Sequence, residues 1–261
     1  MRKIYILFTT ILSLCCIILL TSCGTTKGAS EAYQGESEKE IFNNGEEALR
    51  SKDYSEAIKR FEALEVQYPF GHDTEIAQLH IIYAYYRKEE YPLAVAAADR
   101  FIRLHPVSPH VDYAYYMRGM SDYYENIGML ERVFSINLAN RDLTHLQKAF
   151  NDFTEFTQRF PNSRYAPSAH QYMIYLRNIL ADHELIVAEY YYSRKAYMAA
   201  ANRASEVVRH YEGAPQVPKA LVIMVKSYRH LHLAQPEQEA MTVLQYNYPN
   251  SDYISAAKNI N

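Results

Sequence analysis

The chain has 261 residues, of which 49% are hydrophobic and 22% are charged, and its formal net charge is −3. A hydrophobic share of this size argues against intrinsic disorder, and the lack of clustered Lys and Arg argues against a nucleic-acid surface. Only 8 residues are glycine, which favours an all-α fold. The length is sufficient for one large domain or two smaller ones.

The N-terminus has the pattern of a secretory signal. Arg2 and Lys3 precede an apolar run from Ile4 to Leu20, and such a segment is normally removed rather than folded. An uncleaved membrane anchor is the alternative, although the run falls short of the about 20 residues that a spanning helix needs. The sequence LTSC, ending at Cys23, resembles the lipobox of bacterial lipoproteins. This resemblance implies that residues 1–22 are cleaved off and that Cys23 carries a covalent lipid; no other cofactor is expected.

The residues that follow Cys23 indicate a tethered, disulfide-free protein. Cys15 and Cys16 would leave with the signal, so the mature chain would hold neither a free thiol nor a disulfide. Residues 24–37 are small and polar without helical period, which predicts a flexible linker, with the fold beginning near Glu38. Gly24 rather than Asp follows the cysteine. By resemblance to enterobacterial lipoproteins, this implies lipid anchoring at the periplasmic face of the outer membrane.

A repeated pattern predicts the fold. Residues 53–69, 90–106, 144–161 and 196–213 each place an aromatic or apolar residue three before an alanine, and the first three end in proline. A further helical segment precedes each unit, at 40–51, 73–88, 109–125 and 165–193, with another at 215–232. The alanines, with a fainter fifth, are Ala57, Ala94, Ala149, Ala200 and Ala240. Two helices in about 34 to 40 residues match the tetratricopeptide pattern.

We therefore predict an all-α tetratricopeptide-repeat solenoid of about five helix-turn-helix repeats. Repeats one and two would occupy residues 38–108, repeats three to five residues 109–249, and a C-terminal tail residues 250–261. Residues 126–142 separate the two helices of repeat three, as either a packed loop or a contact surface. In repeat four, residues 165–194 can form one helix of about 29 residues, about 43 Å long.

The sequence offers no catalytic or metal site that we can assemble. A glycine-rich phosphate loop, GxSxG and HExxH are all missing from it. His230 and His232 are two residues apart on a helix, so they point to different sides, and His183 has no second histidine four residues later. We predict a protein that is not an enzyme, with no catalytic residue and no metal.

Several longer strings resemble one family. LEVQYPFG, IYAYYR, PLAVAAADRFIRLHP, DYAYYMRG, FPNSRYA and VAEYYYSRKAYMAAANR together resemble the BamD family, lipoproteins of the bacterial outer-membrane β-barrel assembly machinery. The resemblance covers about Glu38 to Leu233. It implies a scaffold that binds the periplasmic domain of the barrel insertase, accessory assembly lipoproteins and unfolded outer-membrane proteins, and no nucleic acid. The alternative is another envelope tetratricopeptide lipoprotein that serves peptidoglycan or cell-division machinery.

The resemblance also implies two sites. Asn202 and Arg203 match a pair in the family's insertase-docking half, so we expect Arg203 to form an interface ion pair; a solvated helix arginine is the alternative. The tetratricopeptide template places groove-lining positions on the first helix of each repeat, and we expect these to contact substrate. In repeats one and two they are Phe42, Glu46, Leu49, Arg50, Ile76, Leu79, Tyr83, Tyr86 and Arg87. Tyr85 and Tyr91 fall on packing positions, so we expect them in the core.

Overall fold

The computed structural model describes residues 31–125 and 143–259, and every regular element within these ranges is a helix. The helices in chain order are α1 Glu38–Arg50, α2 Tyr54–Gln67, α3 Thr74–Arg87, α4 Tyr91–Leu104, α5 Val111–Glu125, α6 Thr144–Arg159, α7 Ala166–Ser193, α8 Tyr197–His210, α9 Val217–His230, α10 Ala234–Asn247 and α11 Asp252–Lys258. The all-α prediction is confirmed. The chain falls into two compact units, Met1–Gln78 and Leu79–Asn261.

Consecutive helices pack as hairpins. In the first unit α1 packs on α2, and in the second unit α5 packs on α6, α7 on α8 and α9 on α10. The first helix of each predicted repeat begins and ends within two residues of its expected bounds. Helix α7 runs unbroken for 28 residues, which confirms the long helix expected in repeat four.

In four repeats a proline follows the second helix and marks its end. Pro69, Pro106, Pro161 and Pro249 each lie two residues beyond the last residue of α2, α4, α6 and α10. Proline disfavours helical backbone in the residue before it and has no amide hydrogen to donate. The residue before each proline is therefore non-helical, and the helix ends two residues before the proline.

The turns inside four repeats share one backbone conformation. The residue two beyond the first helix has positive φ, between 57° and 65°, at Lys52, Glu89, Lys195 and His232. The amide of Lys52 donates to Leu49 O at 3.1 Å, and that of Asp53 donates to Ala48 O at 2.8 Å; the other three turns repeat this pair of bonds. The pattern satisfies the last carbonyls of the helix, as in a Schellman motif. Four equal turns support the repeat assignment independently of the alanine pattern.

Small residues lie where the helices of a hairpin meet. The predicted alanines are buried: Ala57, Ala94, Ala149 and Ala200 have no exposed surface, and Ala240 is 4% exposed. Large rings fill the remaining space, since Phe61, Phe101, Phe153 and Phe156 are at most 1% exposed. This alternation of small and large side chains allows close helix packing at high density.

The fold begins earlier than the sequence indicated. The predicted linker extends to Ser37, yet the Tyr33 hydroxyl donates to Glu56 Oε1 at 2.9 Å and the Tyr68 hydroxyl donates to Glu36 O at 3.0 Å. Arg60 lies 4.2 Å from the centre of the Tyr33 ring. These contacts fix the last part of the linker against α2 and Tyr68, because the Tyr33 side chain and the backbone carbonyl of Glu36 form hydrogen bonds there.

The predicted C-terminal tail also has structure. Residues 252–258 form α11, in which Ala257 is fully buried. The Arg229 guanidinium on α9 donates to Ala257 O at 3.0 Å and to Glu237 Oε1 at 2.8 Å. Helix α11 therefore packs on the last repeat and covers its end, as terminal elements of repeat proteins do.

Candidate functional site

Several of the predicted groove residues of repeat one contact other residues of this chain. The ring of Phe42 is 5.9 Å from that of Phe61, a core residue with no exposed surface. Arg50 Nη1 lies 3.7 Å from Glu46 Oε2, one helical turn away. Leu49 is half-buried, as is Ile76 on α3. Arg50 presents the most accessible side chain among them, with 69% of its surface exposed.

The groove residues of repeat two divide between the interior and the surface. Leu79 is 7% exposed, so its side chain packs inside the protein and does not line an open surface; the template position fell on the buried face of α3. Arg87 Nη1 donates to the Tyr83 hydroxyl at 2.6 Å. Tyr91 is buried at 8% exposure, as expected, but Tyr85 is only half-buried. The core prediction for Tyr85 is wrong, because part of its side chain stays exposed. A partly exposed ring can keep its hydroxyl near water.

Further tyrosines extend this surface along the second unit. Tyr86 on α3 lies 5.9 Å from Tyr124 on α5, measured between ring centres. Tyr123 on α5 lies 5.0 Å from Tyr172 and 6.3 Å from Tyr175, both on α7. Five of these rings are half-buried, counting Tyr116, and Tyr175 is 45% exposed. We call this set the tyrosine surface: Tyr86, Tyr116, Tyr123, Tyr124, Tyr172 and Tyr175.

The tyrosine surface lies on the first helices of repeats two to four, where the template places ligand-facing residues. Tyr116 and Tyr123 are seven residues apart, two helical turns, as are Tyr165 and Tyr172. This spacing is visible in the sequence, although the predicted groove residues belong only to repeats one and two. Tyr116 also stacks on Tyr165, with ring centres 4.9 Å apart and planes within 14°.

Two hydroxyls of this surface, those of Tyr123 and Tyr172, have raised pKa values and so stay protonated as hydrogen-bond donors at neutral pH. Burial raises the pKa of Tyr123, and the neighbouring Tyr175 and Tyr124 raise it further. Burial and the hydrogen bond with Tyr124 raise the pKa of Tyr172. Neutral rings with protonated hydroxyls combine apolar contact area with polar tips, the combination that binding surfaces favour.

The predicted docking pair lies on α8. Asn202 and Arg203 are both exposed, as an interface requires. Arg203 Nη1 lies 3.0 Å from Glu184 Oε2 on α7, so this arginine already has an ion-pair partner within the chain. An open cleft of about 420 Å³ lies beside Glu184 and is lined by residues of α6, of α7 and of the turn after α8, including Lys148, His183 and Tyr211.

Two predictions lie outside the described residues. Cys23, with the signal segment before it, is one, and the segment 126–142 is the other. Within residues 31–125 and 143–259, no helix combines the length and apolar character needed to cross a membrane.

These features define a class. Antiparallel helix pairs with small residues between the helices, a shared turn and proline stops are those of a helical-repeat protein of tetratricopeptide type. The family described as YfiO, outer membrane lipoprotein, matches residues 34–244. The chain belongs to this family.

Comparison with individual proteins agrees with the family match. The chain is 35% identical over 243 residues to "Outer membrane protein assembly factor BamD" of Neisseria gonorrhoeae, covering 92% of this chain and 91% of that protein. It is 35% identical over 208 residues to the protein of the same name from Vibrio cholerae serotype O1, covering 80% and 86%. A solved tetratricopeptide protein of Thermus thermophilus aligns over 85% of this chain and 100% of that protein, with 13% identity and a TM-score of 0.38.

Proposed function

We propose that this chain is a non-enzymatic scaffold of the outer-membrane β-barrel assembly machinery, which binds the barrel insertase and presents unfolded outer-membrane proteins to it. The match to relatives named as assembly factors, which extends over 92% of this chain, carries the proposal. Because nearly the whole length of both proteins is aligned, the shared role belongs to the complete helical body and not to one borrowed repeat.

The tyrosine surface suits an unfolded barrel substrate. The last strand of a barrel protein is extended, with apolar and aromatic side chains at alternate positions, so it needs rings to pack against and donors for its carbonyls. Tyr123, Tyr172 and Tyr175 provide both within one patch. Arg87, on the same helix as Tyr86, adds charge that would attract a C-terminal carboxylate. Substrate binding would thus use the first helices of the repeats.

The exposed face of α8 is the proposed site for the insertase. Arg203 is 46% exposed and Glu184 is 17% exposed, so nearly half of the Arg203 side-chain surface is accessible to a partner protein. A guanidinium has five N–H donors, so it can donate hydrogen bonds to a second carboxylate while it stays bonded to the first. Arg203 would in this way bind an acidic residue of the insertase's periplasmic domain, with Asn202 beside it.

A lipid on Cys23 would hold the scaffold at the periplasmic face of the outer membrane, where accessory assembly lipoproteins are its further partners. One acyl chain gives only marginal attachment, whereas several chains on one cysteine give a stable anchor. A variant in which Cys23→Ala is combined with a secretory signal that is cleaved without a lipobox, in place of residues 1–22, should appear in the soluble fraction of the envelope. If this variant, with its signal removed, stays in the membrane fraction, lipid anchoring through Cys23 is contradicted.

The function is tested by depletion and by co-purification. Depletion of the protein should lower the level of folded β-barrel proteins in the outer membrane. Full-length tagged protein, extracted in mild detergent, should co-purify with a large β-barrel insertase. Co-purification with glycan-processing enzymes and no barrel protein, together with normal barrel levels after depletion, would reject the proposal and favour a cell-envelope scaffold of another kind.

A further inference from the structure

A group of ionisable side chains lies between α5 and α6, and one of them, Lys148, also lines the cleft beside Glu184. At its centre is Asp122, whose side chain is 1% exposed. Its Oδ1 accepts a hydrogen bond from Lys148 Nζ at 2.8 Å. Its Oδ2 is buried and receives no hydrogen bond from an N–H or hydroxyl group, although the neighbouring Asp152 carboxyl group can share a proton with Asp122. A buried charged oxygen without a partner is strongly unfavourable, so this atom requires a cation or a proton.

Two neighbours complete a set of possible metal ligands. One ligand atom each from Asp122, Glu125 and His145 lies within 4.8 Å of the other two. Asp122 and Glu125 are three residues apart, on one face of α5, and His145 is in the first turn of α6. The three residues thus join the two helices of repeat three.

The position of His145 favours a metal over a direct hydrogen bond. His145 Nδ1 lies 3.3 Å from Glu125 Oε2, but this buried nitrogen has no partner in hydrogen-bonding geometry. Zinc binds nitrogen and oxygen at about 2.0 to 2.2 Å, which places neighbouring ligands of a tetrahedral site about 3.4 Å apart. The 3.3 Å separation matches that of two zinc ligands, and a carboxylate oxygen of Asp122 lies within 4.8 Å of the ligand atoms of both residues.

The charges around the cluster are unbalanced. Three cations, Arg118, Lys148 and Arg159, face five carboxylates: Asp99, Asp122, Glu125, Asp152 and Glu155. With His145 neutral and every carboxylate ionised, the excess is two negative charges, which a divalent ion would neutralise.

We propose that Asp122, Glu125 and His145 bind one Zn²⁺ ion, which links the last described turn of α5 to the first turn of α6. One imidazole and two carboxylates suit zinc, whereas Mg²⁺ prefers oxygen ligands alone in octahedral geometry. Water would supply the fourth ligand. The histidine lies far from the two carboxylates in sequence, so no short histidine motif contains all three residues.

The test uses the full-length protein in detergent, freed of metal with a chelator and then supplied with Zn²⁺. We expect elemental analysis to find one zinc per chain and the melting temperature to rise by several degrees. His145→Gln and Glu125→Gln should each weaken zinc binding at least tenfold and remove the rise. Both residues are partly exposed, so these variants avoid the folding problem that a change at the fully buried Asp122 brings.

His170→Gln, an exposed histidine on α7, serves as the matched control and should bind zinc as the original protein does. Mg²⁺ at the same concentration should leave the melting temperature unchanged. The proposal is overturned if the protein takes up no zinc, or if His170→Gln weakens binding as much as His145→Gln. A melting temperature that depends on pH but not on zinc would also overturn it, because a proton between Asp122 and Asp152 would then balance the cluster.

Discussion

The guanidinium of Arg203 on α8 lies 3.0 Å from the carboxylate of Glu184 on α7. Glu184 is the more buried member, at 17% exposure against 46% for Arg203. The carboxylate therefore holds the arginine in one orientation at the surface, so less side-chain entropy is lost when a partner binds. The sequence predicts an ion pair across an interface, and the structure adds a second carboxylate to that arrangement.

Arg203→Ala should reduce recovery of the barrel insertase at least tenfold while the free energy of unfolding changes by less than about 1 kcal/mol, because the pair is partly exposed. Co-purification and urea unfolding measure the two effects. Arg209→Ala, an exposed arginine on the same helix, is the control and should leave recovery unchanged. Glu184→Gln should reduce recovery less than Arg203→Ala does; equal losses would mean that Arg203 acts only through its pair with Glu184 and makes no contact of its own with the insertase.

Gly45 on α1 has no room for a side chain. A Cβ at this position would lie 2.6 Å from Phe61 Cε1, and Phe61 is fully buried. Gly45→Ala gains up to about 1 kcal/mol in helix propensity, but overpacking costs about 1 to 3 kcal/mol. We expect net destabilisation, measured by urea unfolding. Glu47→Ala, exposed on the same helix, should be near neutral, and adding Phe61→Leu should reverse part of the Gly45→Ala loss. Additive effects of the two changes would contradict the steric explanation.

The contrast between the repeated alanines and two residues of α3 shows what the sequence can predict. Ala57 and Ala94 belong to a repeated pattern whose cause is local, the close approach of two helices, so the pattern places them correctly in the interior. Leu79 and Tyr85 were placed by counting along a helix template, and a small rotation of α3 moves a side chain between the core and the surface. Counting thus predicts which helix carries a residue better than which face it occupies.

The repeat pattern does not predict contacts between segments that lie far apart in the sequence. Tyr33 is anchored by Glu56 and Arg60 on α2, yet the polar composition of residues 24–37 predicts only a linker. The Asp122 and His145 cluster also depends on two helices that meet in space. Neither arrangement has a period or a short motif, because each depends on the tertiary fold.

Arg60→Ala should release the segment before α1. Arg60 is 17% exposed and pairs with Glu36 at 3.0 Å and with Glu56 at 2.8 Å, in addition to covering Tyr33. Without it, hydrogen exchange at residues 33–37 should become faster, whereas exchange in α5 to α9 should stay the same. Lys59→Ala, a change at an exposed residue of the same helix, should leave hydrogen exchange unchanged both at residues 33–37 and in α5 to α9. Unchanged exchange at residues 33–37 would show that the other contacts suffice to hold the segment.

Tyr175 is the most accessible member of the tyrosine surface, at 45% exposure. Tyr175→Ser should change the free energy of unfolding by about 0.5 kcal/mol or less, since exposed positions tolerate substitution. It should nevertheless weaken binding of a peptide that copies the aromatic C-terminal strand of a barrel protein, by about tenfold, which corresponds to about 1.4 kcal/mol. Fluorescence anisotropy of the labelled peptide measures the affinity. Tyr246→Ser, at a tyrosine that is 85% exposed on α10, is the matched control. If both variants bind the peptide equally, the tyrosine surface is not where the strand binds, because a specific site must distinguish one exposed ring from another.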